Sequence, residues 1–279
     1  MCGIWALLKA SLTHQEKQDC VNALLARGPE YSTVQDLSGI TLGFTRLAIN
    51  GLTEAGNQPF NQDNFSVVCN GEIYNYKTLA ERWAMNLPEG TSDCAVLPYL
   101  ASKLSMTALC RTLDGVFAFV LVDTNSNIVY VARDPYGVRP LFQATLQNKY
   151  VWSSEIKGLP KDATDVAPFP PGTWRSFDLI TGNHIESFKY HTVPHVKLAL
   201  FKNSNQGHIY AKHALKVALE TAVEKRLLSD RPIGALLSGG LDSSLIASIA
   251  SSKLRKLGKQ LNTFSIGMPG SWHTNTKCI

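Results

Sequence analysis

The sequence has no long hydrophobic run. Its longest apolar stretch, Val116 to Val122, falls far short of the ~18–20 residues that cross a bilayer, so no membrane span is expected. Charge is also scarce: 18% of residues are charged against the ~25% usual in soluble domains, while 44% are hydrophobic, which excludes a disordered, solvating chain. Neither sign dominates. The 27 basic and 22 acidic residues leave a net charge of +5, scattered without a basic run, and nucleic acid is not an expected partner. The N-terminus lacks the basic region of a signal peptide, so a cytoplasmic chain is expected. The six cysteines, at positions 2, 20, 69, 94, 110 and 278, form no CxxC pair and no Cys/His metal spacing, which favours free thiols over a disulfide framework or a zinc site. The Walker pattern and GxGxxG are absent, as are internal repeats and low-complexity tracts.

What is present is enough for one large or two ordinary domains in 279 residues. Up to about residue 190, β-branched apolar stretches alternate with turn signals. Strands are predicted at Ile40–Ile49, Phe65–Cys69, Val116–Asp123, Asn127–Arg133, Tyr150–Ser153 and Gly172–Asp178. Several are apolar on consecutive positions, the pattern of strands buried on both faces, as where two stacked sheets are covered by helices. Helices are predicted at His14–Ala26, Tyr74–Ala84, Ser92–Leu104, with Pro98 weakening the third, and Ser105–Leu113. Residues 191–207 are polar and irregular and read as a linker. Beyond them come a helix, Ile209–Ser229, the strand Ile233–Leu237, a glycine turn, a helix over Ser243–Leu257 and the strand Leu261–Met268. This is the opening of a parallel α/β sheet.

Cys2 follows the initiator methionine. Once Met1 is trimmed, its α-amine, with a pKa near ~8, can take the proton of its own thiol, so that nucleophile and base share one residue. Position alone also allows a bystander cysteine. Other residues have double readings too: Asn70-Gly71 is a common hairpin turn, Arg46 suits a strand face, Glu72 a helix start and Asp93 a helix cap.

The chain nevertheless strings together Met1-Cys2-Gly3-Ile4-Trp5, Arg27-Gly28-Pro29-Glu30, Gly43-Phe44-Thr45-Arg46-Leu47, Asn70-Gly71-Glu72-Ile73-Tyr74-Asn75, Ser92-Asp93, Leu113-Asp114-Gly115 and Arg133-Asp134-Pro135-Tyr136-Gly137-Val138-Arg139. In order and spacing, these motifs resemble the glutaminase domain of class II glutamine amidotransferases, N-terminal-nucleophile hydrolases, and within them the asparagine synthetases. The resemblance implies an α+β fold, with a four-layer αββα domain over 2–190. It implies Cys2 as nucleophile, Asn70 and Gly71 as oxyanion hole, Arg46 for the glutamine α-carboxylate, and Glu72 and Asp93 for its ammonium, with Leu47 and Ile49 alongside. No cofactor is implied for glutamine hydrolysis. Glu30 stands where the family usually has Asp and Thr45 where it often has His, and neither is expected to touch a residue assigned to chemistry.

Leu236-Leu237-Ser238-Gly239-Gly240-Leu241-Asp242-Ser243-Ser244 lies between a predicted strand and helix, where backbone N–H groups can form a nest for pyrophosphate. It resembles the PP-loop of enzymes that adenylate a substrate. The resemblance implies an incomplete α/β PP-loop domain over 208–279. In it Leu236 and Ile266 would meet the adenine nucleotide, while Ser238, Gly239, Gly240, Asp242, Ser243 and Ser244 would surround the phosphates and Mg²⁺, the metal at Asp242. The implied partners are glutamine, aspartate, ATP and a second copy in a homodimer. Ammonia would pass to ATP-activated aspartate. Residues 271–279 match nothing the family has next, so a truncated synthetase domain, poorly stable and with at most glutaminase activity, is expected. An idle isoform acting as an interaction subunit is the alternative. A third reading, another amidotransferase of the N-terminal-cysteine class, is disfavoured by the Ser238–Ser244 loop.

Overall fold

A computed structural model of the chain describes residues 1–193 and 205–266. These divide into two compact units, one within Met1–Pro194 and one within His195–Ile279. Most of the expected linker and the whole of the 271–279 tail lie outside the described residues.

The first unit contains strands β1 (Gly3–Leu8), β2 (Tyr31–Leu37), β3 (Ile40–Arg46), β4 (Phe60–Gln62), β5 (Phe65–Ile73), β6 (Gly115–Asp123), β7 (Ile128–Arg133), β8 (Phe142–Leu146), β9 (Lys149–Ser153), β10 (Thr164–Pro168), β11 (Thr173–Asp178) and β12 (His184–Lys189), with helices α1 (His14–Asn22), α2 (Tyr76–Arg82), α3 (Val96–Ala101) and α4 (Met106–Thr112). They form two six-stranded antiparallel sheets, in the orders β10-β8-β9-β1-β3-β2 and β12-β11-β7-β6-β5-β4. Ile4, Ala6, Leu42 and Phe44 of the first sheet pack with Val68, Val120, Val122 and Val131 of the second in one core. The alternate residues of the second sheet, among them Val67, Phe117 and Phe119, pack on Leu79, Val96, Leu97 and Leu109 of α2, α3 and α4. On the far side Trp5, Leu7 and Val151 meet Val21 of α1 and Leu24 just after it. Both faces of the central strands are buried, which is why their sequences are apolar at consecutive positions rather than alternating.

Two local features depart from expectation. β5 runs through Asn70-Gly71, which pair with Ala118 and Phe117, so the hairpin dipeptide here is interior strand. Gly71 is required for space: a Cβ there would lie 2.8 Å from the Val116 carbonyl oxygen. The third predicted helix is split into a 3₁₀ turn, Asp93–Ala95, and α3, in whose first turn Pro98 is tolerated.

The second unit contains α5 (Asn205–Lys225), β13 (Gly234–Leu236), α6 (Leu241–Lys256) and β14 (Asn262–Phe264). β13 and β14 pair in parallel, Gly234 with Asn262 and Leu236 with Phe264, on either side of α6, as the strand–helix–strand pattern predicts. The last part of the predicted Leu261–Met268 strand, Gly267 and Met268, lies outside the described residues. Leu236, Leu241, Phe264 and Ile266 are strongly exposed.

Candidate active site

Cys2 sits at the entry to β1, at one end of the sheet sandwich. Its thiol donates to the Leu47 carbonyl at 3.6 Å. Burial pushes the thiol pKa up, opposed by that hydrogen bond and by the nearby amino terminus. A thiol raised by burial needs a base beside it to become a nucleophile. The Met1 amine beside it has its own pKa lowered, chiefly by burial.

The Cys2 carbonyl is held by Arg27, whose Nε donates to it at 2.9 Å, while Nη1 of the same guanidinium pairs with Glu155 at 3.0 Å. Asn70 completes the set: with its amide nitrogen donating to the Cys2 carbonyl at 3.2 Å, its oxygen accepts from Arg27 Nη2 at 3.2 Å. Burial pushes the Glu155 carboxyl up, but hydrogen bonds from Lys157 and Arg27 outweigh it and hold the carboxyl below its usual range. Arg27 therefore remains clamped by a carboxylate at neutral pH.

Across the cavity, Arg46 lies at the end of β3, 6% exposed, with its guanidinium donating to the carbonyls of Thr53 (2.7 Å) and Gly51 and to Asn57 Oδ1 (2.8 Å). The 3₁₀ turn Glu54–Gly56 brings these acceptors round, and Gly56 is the residue whose missing side chain lets the guanidinium approach. Asp93 is 3% exposed and accepts from the Ile73 backbone at 2.5 Å and Ser92 Oγ at 3.0 Å. Burial raises its pKa. The cap of that turn is Ser92, so Asp93 is free of the capping role its sequence position suggests. Glu72, near the end of β5 rather than at a helix start, pairs with Arg139 at 2.5 Å.

Cys2, Arg46, Leu47, Ile49, Asn70, Gly71, Glu72 and Asp93, all the residues the motifs single out in this unit, line one pocket. Sequence reasoning did not assign roles to Arg27, Arg139 or Gln58. Arg27 and Arg139 lie within two of the sequence motifs, Arg-Gly-Pro and Gly-Val-Arg, which are the signal for them. Gln58 grips the Cys69 backbone, accepting from its N–H at 2.6 Å and donating to its carbonyl at 3.1 Å, where β4 no longer covers the edge of β5. The expectation that Glu30 stays clear of the site needs correcting: its N–H donates to the Arg46 carbonyl at 3.0 Å and its carboxylate accepts from Ala48 N–H at 3.0 Å, fixing the end of β3.

In the second unit the loop from Leu237 to Gly240 joins β13 to α6. Gly239 has φ +82°, the left-handed region that favours glycine, and Gly240 opens α6 without a side-chain cap. Ser238 Oγ and Ser243 Oγ lie 2.9 Å apart, and Ser243 donates to the Gly240 carbonyl at 3.1 Å. Asp242 stands in the first turn, exposed like Ser244, and Leu236 and Ile266 lie at the carboxyl ends of the two strands. Among the described residues no group of three or more His, Cys, Asp or Glu forms a metal cluster, and no helix is long and apolar enough to cross a membrane.

Two antiparallel sheets sandwiched between helices, with Cys2 at the entry to a central strand and lining a pocket, define the N-terminal-nucleophile hydrolase fold. Among solved structures, glutamine phosphoribosylpyrophosphate amidotransferase from B. subtilis superposes with a TM-score of 0.59 over 94% of this chain and 65% of its own, at 16% identity. The chain belongs to the glutamine amidotransferase domain family, whose model matches residues 1–172, and the asparagine synthase family model matches 214–276. It is homologous to glutamine-hydrolysing asparagine synthetases: 38% identical to enzyme 1 of Arabidopsis thaliana over 97% of this chain and 47% of the relative, and 38% identical to that of Homo sapiens over 97% and 52%. The chain thus spans about half the length of the curated relatives it matches.

Proposed function

We propose that the first unit, about residues 2–190, hydrolyses glutamine to glutamate and ammonia at Cys2. The observation that carries this is the convergence of the partly buried Cys2 thiol, an amide-bearing Asn70 and the Arg46, Glu72 and Asp93 charges on one pocket. With Met1 removed, the Cys2 α-amine takes the thiol proton and the sulfur attacks the side-chain amide carbon. Asn70 Nδ2 and the Gly71 N–H hold the oxyanion, and the amine returns its proton to the departing ammonia. Water then cleaves the thioester and releases glutamate. Arg46 receives the α-carboxylate, and Glu72 and Asp93 the α-ammonium, with Leu47 and Ile49 along the substrate's stem. Labelling with an electrophilic diazo-ketone analogue of glutamine tests the site: one adduct on Cys2, blocked by excess glutamine, supports it, and an unlabelled Cys2 in chain lacking Met1 contradicts it.

For the second unit, about 208–279, the reading is an ATP site. The Gly239 conformation and the uncapped start of α6 suit a phosphate. Ser238, Gly239, Gly240, Ser243 and Ser244 would hold the phosphates and Asp242 their Mg²⁺, with Leu236 and Ile266 flanking the adenine. ATP supplies the activation of a carboxylate, that of aspartate in asparagine synthesis, for which ammonia from the first unit is the nitrogen source. A cytoplasmic homodimer completes the reading, consistent with the free thiols of Cys2, Cys20, Cys69, Cys94 and Cys110.

A further inference from the structure

Glutamine chemistry at this site uses one thiol, yet three lie along the pocket: Cys2, Cys69 and Cys94. The two unused ones meet at Gly71. Cys69 and Gly71 stand on the same face of β5, two residues apart, and a Cβ on Gly71 would lie 3.1 Å from the Cys69 sulfur. Cys94, in the 3₁₀ turn beside that strand, donates its thiol to the Gly71 carbonyl at 3.7 Å, and the nearby Cys69 thiol is the first cause of the rise in the Cys94 pKa. Both are almost wholly buried from bulk solvent, so a reactant reaches them through the pocket rather than from outside.

We propose that Cys69 and Cys94 are an oxidation site, a dithiol that a hydroperoxide entering the pocket around Cys2 converts to a disulfide. One sulfur attacks the terminal oxygen of the peroxide. The O–O bond breaks, the thiol proton passes to the departing oxygen, and an alcohol (water from hydrogen peroxide) leaves a sulfenic acid. The second sulfur then attacks the first, the S–S bond forms, and the S–O bond breaks with loss of water. Overall, two thiols and one hydroperoxide give a disulfide, an alcohol and water. The neighbouring side chain gives the bond its consequence. Asp93, adjacent to Cys94, is held to β5 by the Ile73 N–H, so drawing Cys94 against Cys69 displaces the acid proposed to meet the glutamine ammonium. The effect on glutamine rests on the glutaminase reading, whereas the disulfide itself does not.

The test therefore has two readouts. The full chain carrying Cys2→Ala is treated with hydrogen peroxide and digested without reductant; a peptide linking Cys69 to Cys94 is expected, and recovery of both as thiols or as separate higher oxides overturns the site. Reactive chain is then assayed for glutamate release. Peroxide is expected to raise the KM for glutamine about tenfold or more, as loss of a charge-assisted contact does, with recovery on thiol reduction and no such KM rise in Cys94→Ser. A KM rise that persists in Cys94→Ser, or a cross-link that leaves KM unmoved, overturns the regulatory role. Absence of glutaminase activity before oxidation instead counts against the glutaminase reading, and leaves the cross-link result standing on its own.

Discussion

Arg27 Nε donates to the Cys2 carbonyl oxygen at 2.9 Å, tying the candidate nucleophile to a guanidinium that also holds Asn70 and Glu155. One planar cation thereby sets the positions of the attacking residue and of the amide proposed for the oxyanion. Arg27→Ala should lower kcat for glutamine hydrolysis by about 10- to 100-fold, the worth of a lost charge-assisted hydrogen bond, with a smaller change in KM. Lys at this position cannot reach three acceptors in one plane, so Arg27→Lys should not restore the rate. Steady-state kinetics of both variants check this.

Asn70→Ala removes a donor aimed at the Cys2 carbonyl region without removing the nucleophile. Glutamine hydrolysis should fall by about 10²–10³ in kcat, as for other oxyanion-hole donors. Labelling of Cys2 by the diazo-ketone analogue should persist, because alkylation needs the thiol more than the oxyanion hole.

Asp93 gives a pH signature. Its pKa is raised by burial in the folded chain, so the folded state holds the proton more tightly than the unfolded one. The stability it contributes is present at acid pH, below the unfolded carboxyl pKa, and is lost as pH rises through the raised folded value. The melting temperature of Asp93→Asn relative to the unsubstituted chain should therefore be more favourable at pH 7 than at pH 4. Its KM for glutamine should rise about 10-fold or more. Thermal melts at the two pH values, with assays alongside, separate the stabilising and functional effects.

Phe177 lies between the sheets with its ring 4.7 Å from that of Tyr150 and 4.8 Å from that of Trp152. Phe177→Ala should cost about 3–5 kcal/mol in denaturant unfolding of the first unit. Cys2 labelling in the remaining folded protein should be unchanged, because the site lies elsewhere.

In the second unit, ATP with Mg²⁺ should slow proteolysis at peptide bonds between Leu236 and Ser244. Gly239→Ala, forced to φ +82° at a cost of about 1–2 kcal/mol, should weaken that protection. Equal cleavage with and without nucleotide would count against an ATP site there.

Much of this was legible in the sequence, because double-sided burial leaves consecutive apolar residues and the site residues come in short motifs. β5 and β6 were visible for the first reason, and Cys2, Arg46 and Asp93 for the second. β10 and β12 were not, since both are edge strands whose residues are all largely exposed and leave no run of consecutive apolar positions. β1, wholly buried, was hidden by its position at the N-terminus, where an apolar run has no preceding turn to mark it as a strand. The Asn70-Gly71 pair could be told from a hairpin turn only by its register against Ala118 and Phe117, and the Arg27 clamp only by the approach of Glu155, more than a hundred residues away.

The most direct test of the central claim is glutamate release from glutamine by the purified chain, confirmed to lack Met1, with Cys2→Ala as control. Steady release that disappears in Cys2→Ala is the predicted result. No release from correctly processed chain, or equal release from Cys2→Ala, would contradict it.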